Sequence, residues 1–172
     1  MALIVTPGAS NANSYATLIE ADAYHDTRLH NAEWTAAGDA TKEAALIWAT
    51  RELDANFCWY GRKATEEQSL DWPRYGMYDK DGYSIDSDIV PDQVKNAEAE
   101  LAFMLIKDDR TTAADPECGV KSAKIDTLSV EFDKTDRQNA LPDSAVALIQ
   151  EFGYQCGVGL ANGSSISLTE RV

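Results

Sequence analysis

The side chains of this chain that could do chemistry are two histidines, three cysteines, a crowded acidic loop and a set of large aromatics. His25 and His30 are five residues apart, which misses the i,i+4 spacing of a helical metal pair. With no third ligand in view they read as surface or capping histidines. A cysteine nucleophile would need Cys58 beside a base, and no glycine-flanked nucleophile pattern occurs. Cys58, Cys118 and Cys156 are odd in number, widely spaced and without a Cys-x-x-Cys step. That argues against a disulfide framework and a zinc site, and predicts three reduced, partly buried side chains. Asp79, Asp81, Asp86 and Asp88 crowd one loop, and Asp79-Lys80-Asp81-Gly82 echoes part of a calcium loop. Its first ligand position would fall on Met77 and its twelfth on Asp88, so a solvated acidic turn is expected. Neither Gly-x-x-x-x-Gly-Lys nor Gly-x-Gly-x-x-Gly occurs. The expectation is a protein that is not an enzyme, with no catalytic residues, no metal and no cofactor.

Trp48, Trp59, Trp72 and Tyr75 have the ring faces that stack on single-stranded bases. Stacking also needs a basic groove for the backbone, and Arg51, Arg62, Lys63 and Arg74 supply a thin one. Core or subunit-interface aromatics are the better reading. The charge balance points the same way. The 172 residues carry 29 acids against 15 bases, for a net charge of −14. From Asp79 to Asp109 there are nine acids and three bases, a net of −6. A protein that grips nucleic acid offers cations to phosphates, because counterion release supplies much of the affinity. The acids read either as an ordinary solvated surface or as a channel wall that repels passing DNA.

The elements that must position these residues follow from periodicity. The composition suits one domain with a real core. No apolar run approaches the ~20 residues a bilayer span needs, and residues 1–8 lack the basic region of a signal peptide. No membrane partner is expected, and synthesis and retention in a cytoplasm are. Thr17-Leu18-Ile19-Glu20 fits a capping box, opening a helix that runs to about Leu29 or His30. Residues 31–40 read as a loop or short turn, with Asp39 as N-cap of the next helix. In that helix Leu46, Ala49, Leu53 and Phe57 recur at helical spacing, and Gly61 is a stop signal. Residues 57–91 form a long, aromatic-rich connection, with a tight turn at Asp81-Gly82. At its centre lies Gln68-Ser69-Leu70-Asp71-Trp72-Pro73-Arg74. Pro73 cannot continue a helix, so Trp72, Pro73 and Arg74 should anchor an ordered connector.

Beyond it, Pro91 opens a third helix with Val94, Ala97, Leu101 and Leu105 on one stripe. Residues 120–124 and 128–132 alternate as a hairpin, and a short helix runs from Ala145 to Phe152. The fold class is therefore mainly α: a small helical bundle with a short β-hairpin and an extended C-terminal arm. The domain should cover residues 1–152, with its β element at about 120–132. Residues 153–172, glycine- and serine-rich and nearly uncharged, should form a flexible arm. Ile166 and Leu168 alternate with polar residues, so the arm could add as a strand to an exposed sheet edge, with Arg171 meeting an acidic partner.

The order of these blocks carries a resemblance. Ser14-Tyr15-Ala16-Thr17-Leu18-Ile19-Glu20-Ala21-Asp22-Ala23-Tyr24 is followed by the Lys42–Asp54 helix and the Gln68–Arg74 block. Then come Ile89-Val90-Pro91, Ala97-Glu98-Ala99-Glu100-Leu101-Ala102, Val120-Lys121-Ser122-Ala123-Lys124 and Leu128-Ser129-Val130-Glu131. From about Asn13 to about Phe132 this series resembles a family of tailed-phage head–tail connector, or adaptor, proteins. Its members are often labelled DnaT-like single-stranded-DNA-binding proteins. The resemblance implies a virion protein of the neck, made in the host cytoplasm, that forms a ring, dodecameric to match the portal. Its partners would be the portal protein, further copies of itself, a tail or stopper protein, and double-stranded DNA passing unbound through the lumen. On that reading Ile166, Leu168 and Arg171 bind the portal, and Asp86, Asp88 and Asp92 line the channel. The family label names the alternative, a single-stranded-DNA-binding module.

Overall fold

The computed structural model describes residues 2–108, 122–125, 128–131 and 141–156, the two short middle stretches as backbone alone. Helix α1 (Leu18–Asp26) begins at the expected capping box. The amide of Glu20 donates to Thr17 Oγ1 at 3.2 Å, and the amide of Thr17 donates to Glu20 Oε2 at 2.7 Å. The helix ends earlier than its pattern suggests, and the stretch read as a loop holds a second short helix, α2 (Ala32–Ala36). A tertiary contact explains α2. Trp34 is buried, and its indole N–H donates to Asp22 Oδ1 at 2.8 Å, so a five-residue helix too short to stand alone is held by one anchor. Helix α3 (Asp39–Asn56) is capped by Gly38, and Asp39, expected as the cap, is its first residue.

Helix α4 (Asp92–Lys107) packs against α3 on one side and against α5 (Asp143–Ile149) on the other, with α1 and α2 also touching it. Leu46, Ala49 and Leu53 of α3 and Val94, Ala97 and Leu101 of α4 are fully buried, as their spacing predicts. The architecture is mainly α, with three small two-stranded β elements among the described residues. One is the expected hairpin, β4 (Ser122–Ile125) with β5 (Leu128–Glu131), in antiparallel register from Ser122↔Glu131 to Ile125↔Leu128.

The other two β elements organise the connection that sequence periodicity leaves irregular. Helix α3 stops at Asn56, before Gly61, because Phe57 turns extended and enters β1 (Phe57–Trp59). Gly61, at φ 65°, then reverses the chain into β2 (Arg62–Lys63), which pairs with β3 (Arg74–Tyr75). A Cβ at Gly61 would sit 2.5 Å from the carbonyl of Tyr75. Strand β1 pairs with β6 (Gly153–Gln155), and this corrects the start of the arm. Gly153 belongs to the body because a Cβ there would strike the ring of Phe57, 2.6 Å away. The body continues to Cys156, whose amide donates to Asn56 O at 2.8 Å. The β1–β6 register also brings Cys58 and Cys156 to a Cα separation of 5.4 Å, where they form a disulfide. The expectation of three reduced cysteines is corrected by this pairing, which joins residues 98 positions apart. Cys118 lies outside the described residues, as do Ile166, Leu168 and Arg171. Among the described residues no helix is long and apolar enough to cross a membrane.

Candidate functional site

Trp72, Pro73 and Arg74 lie between β2 and the acidic turn, with Trp72 and Arg74 both buried. Trp72 is 1% exposed and meets Trp59 and Phe152 edge-on, with ring centroids 5.7 and 5.5 Å away. Its peptide bond to Pro73 is cis. Arg74 is also buried, and its guanidinium meets three backbone carbonyls and no carboxylate. Nε donates to Tyr60 O at 2.6 Å, Nη1 to Asp71 O at 3.0 Å and Nη2 to Gly61 O at 3.1 Å. Gln68, buried beside it, donates to Leu70 O and Pro73 O and accepts from the amide of Thr65. One block of sequence therefore satisfies its own irregular backbone.

That wiring sorts the candidate base-stacking residues. Trp72 is in the core, and Trp59 is half-buried against it. Trp48 is partly exposed on α3, with its N–H 3.3 Å from Glu52 Oε1. Tyr75 is exposed, and Arg62 stacks on it at 5.1 Å. Two further exposed tyrosines stand together, Tyr60 and Tyr154, with centroids 6.1 Å apart. The cations near them are few: Arg74 is buried, and Lys63 pairs with Asp71 at 3.2 Å.

Asp86, Asp88 and Asp92 are exposed. Asp79 has a local structural task, since its Oδ1 accepts from the amides of Asp81 and Tyr83 at 3.0 and 2.8 Å. Tyr78 and Ser84 bridge across this turn. Among the described residues no group of three His, Cys, Asp or Glu side chains stands where it could hold a metal ion.

The buried His25 and Glu98 and the half-buried Asp54 have roles that the sequence does not show. His25, expected at the surface, is fully buried, stacked on Trp34 at 4.2 Å with Nε2 3.1 Å from the carbonyl of Ala99. Burial lowers its pKa, so it is a neutral ring that donates to that carbonyl. His30 is exposed at φ 61° just past α1. Glu98 on α4 is fully buried. Its Oε2 accepts from the amides of Tyr15 at 3.1 Å and Ala16 at 2.7 Å, and its Oε1 lies 2.6 Å from Ser14 Oγ and 2.8 Å from Thr50 Oγ1. Desolvation pushes its carboxyl up to about 8. Asp54 of α3 takes the phenol proton of Tyr15 in a hydrogen bond and accepts from the amide of Asp71 at 3.1 Å, and burial pushes it up to about 6. A signal for Glu98 was present: it is four residues past Val94 and three before Leu101, on the buried stripe of α4.

The model of the family described as "Putative DnaT-like ssDNA binding protein" matches residues 1–166. The chain belongs to this family. No curated protein and no solved structure matches it.

For this DnaT-like family member, the geometry sets out what the buried groups can do. Arg74, Gln68, Glu98 and Asp54 all bind irregular backbone: the 60–76 connector or the segment before α1. Each is a staple. The exposed Tyr60, Arg62, Tyr75 and Tyr154 are free to meet another molecule.

Proposed function

We propose that the chain is a structural virion protein, a head–tail connector subunit that forms a ring beneath the portal and continues the DNA channel. One observation carries the reading. The protein has a net charge of −14, with no basic run to grip phosphates. Such a body suits docking and channel continuity, with like charge keeping DNA from sticking to the wall. In that assembly Asp86, Asp88 and Asp92 face the lumen. The portal and a tail or stopper protein lie on either side, and Ile166, Leu168 and Arg171 reach the portal. The decisive experiment is the solution mass of the purified protein, alone and mixed with portal. A ring-sized complex with portal is expected, and a monomer that ignores portal overturns the reading.

A second reading has its own observation. The Arg62–Tyr75 stack beside the exposed pair Tyr60 and Tyr154 is the aromatic and cationic combination that single strands use, and it agrees with the family description. Fluorescence anisotropy with labelled single-stranded DNA separates the two readings. Binding that weakens steeply with salt and is lost in R62E supports the strand-binding module.

A further inference from the structure

The segment before α1 is held at three places. Ser69 takes the carbonyls of Ala9 and Ala12, Asp54 takes the phenol of Tyr15, and Glu98 takes residues 14–16. We propose that Glu98 is a protonation-controlled catch: as the neutral acid it fastens this strap to α3 and α4, and its ionisation lets the strap lift.

Glu98 is completely buried without a cation among the described residues, in a hydrogen-bond set that a neutral acid can also satisfy. Ser14 has one hydroxyl hydrogen and two acceptors in reach, Ala16 O at 2.7 Å and Glu98 Oε1 at 2.6 Å. Thr50 likewise has Leu46 O at 3.1 Å and Glu98 Oε1 at 2.8 Å. With Glu98 neutral, its O–H donates to Ser14 Oγ, and the Ser14 hydroxyl passes on to Ala16 O. Thr50 donates to Oε1 or to Leu46 O, while Oε2 keeps both backbone amides. Every polar hydrogen then has an acceptor. With Glu98 ionised, the two amides and both hydroxyls can also donate to it, but a full charge then lies in the core without a counter-ion among the described residues. A neutral acid avoids that cost.

The surrounding charges do not supply a cation. On the strap, Tyr15 turns its phenol to Asp54 of α3. On α1, Glu20 pairs with Lys95 of α4, and His25 is neutral against Ala99 O. Farther along α4, Glu100 pairs with Arg28 and meets Ser144 of α5. Among the described residues no ion pair reaches Glu98.

The sign follows from linkage. The fastened carboxyl is raised to about 8 from an ordinary 4.5, so the closed strap binds the extra proton. Closure is strongest below the ordinary value, weakens as pH rises toward about 8, and levels off above it. When the strap opens in that interval, the proton passes to the buffer.

The test is amide hydrogen exchange at Tyr15 and Ala16 from pH 6.5 to 8, above the range in which Asp54 titrates, corrected for chemical exchange. In the wild type, protection should fall about tenfold per pH unit, the slope of a one-proton linkage. In E98Q the amide NH₂ can donate to both hydroxyls and its oxygen can hold both backbone amides, so protection should persist with no slope. A flat wild-type profile overturns the proposal. So does an E98Q variant that keeps the slope, since another group would then be titrating. If E98Q does not fold, the wild-type profile decides together with infrared spectroscopy of glutamate-labelled protein. A buried neutral-carboxyl band at pH 6 that disappears as the strap opens supports the catch, and its absence refutes it.

Discussion

The 60–76 connector and the strap before α1 are both irregular segments laid on the same helical bundle, one held by a buried base and the other by a buried acid. Arg74 offers N–H donors to the carbonyls of Tyr60, Gly61 and Asp71. Glu98 offers carboxyl oxygens to the amides of Tyr15 and Ala16. Each supplies the partners that non-helical backbone lacks. They differ in permanence. A guanidinium keeps its proton across any working pH, so the connector is stapled permanently. A carboxyl with its pKa pushed to about 8 can change state, so the strap is stapled conditionally. The connector also has an apolar anchor, Trp72, seated between Trp59 and Phe152. The strap ends in Ser14-Tyr15-Ala16, where polar contacts with Glu98, Thr50 and Asp54 dominate.

The largest effect should come from breaking the apolar half of the permanent staple. Trp72→Ala should cost about 3–5 kcal/mol in denaturant unfolding, the range for emptying an aromatic core site. A loss within ~0.5 kcal/mol would place the ring at the surface and remove the contrast. Next is the polar half. Arg74→Ala leaves three carbonyls to find water and should cost about 2–3 kcal/mol. The same loss at pH 6 and pH 8 would sharpen the comparison, and a loss that changes with pH would break it. The smallest effect should come from the exposed acids. Reversing Asp86 and Asp88 should change stability by less than ~0.5 kcal/mol. Asp92 in the first turn of α4 should add about 0.5–1 kcal/mol, because reversal there opposes the helix dipole. A larger loss would show that these acids belong to the fold. Packaged capsids bearing the triple reversal should assemble rings yet release DNA poorly, if the acids face a channel.

The helical body was legible because its signals are local. The Thr17/Glu20 box, the stripe from Leu46 to Phe57, the Pro91 start and the stripe on α4 each specify an element without reference to the rest. The Trp72-Pro73-Arg74 anchor was legible for the same reason: proline forbids a helix there, and a large aromatic in such a connection needs burial. What failed to show was decided across long separations. Nothing near Cys58 announces Cys156, and Gly153 reads as a helix stop until Phe57 lies against it. His25 looked like a surface residue because α1 is short and its apolar pattern weak. Trp34, Phe103 and the Ala99 carbonyl cover it from elsewhere in the chain.

The sequence alone thus determined α1, α3, α4 and α5, though not α2, together with the buried stripes, the hairpin, the negative charge and the resemblance that points to the family. Tertiary structure decided which polar groups lie inside and what they hold. Glu98 stands on an apolar stripe, and helical spacing alone cannot distinguish a misplaced charge from a catch. The difference is made by Thr50 from α3 and Ser14, Tyr15 and Ala16 from the strap, 48 and 82 to 84 positions away, which converge on one carboxyl. A buried polar group is tolerated only when its partners arrive together, and no local pattern records their arrival.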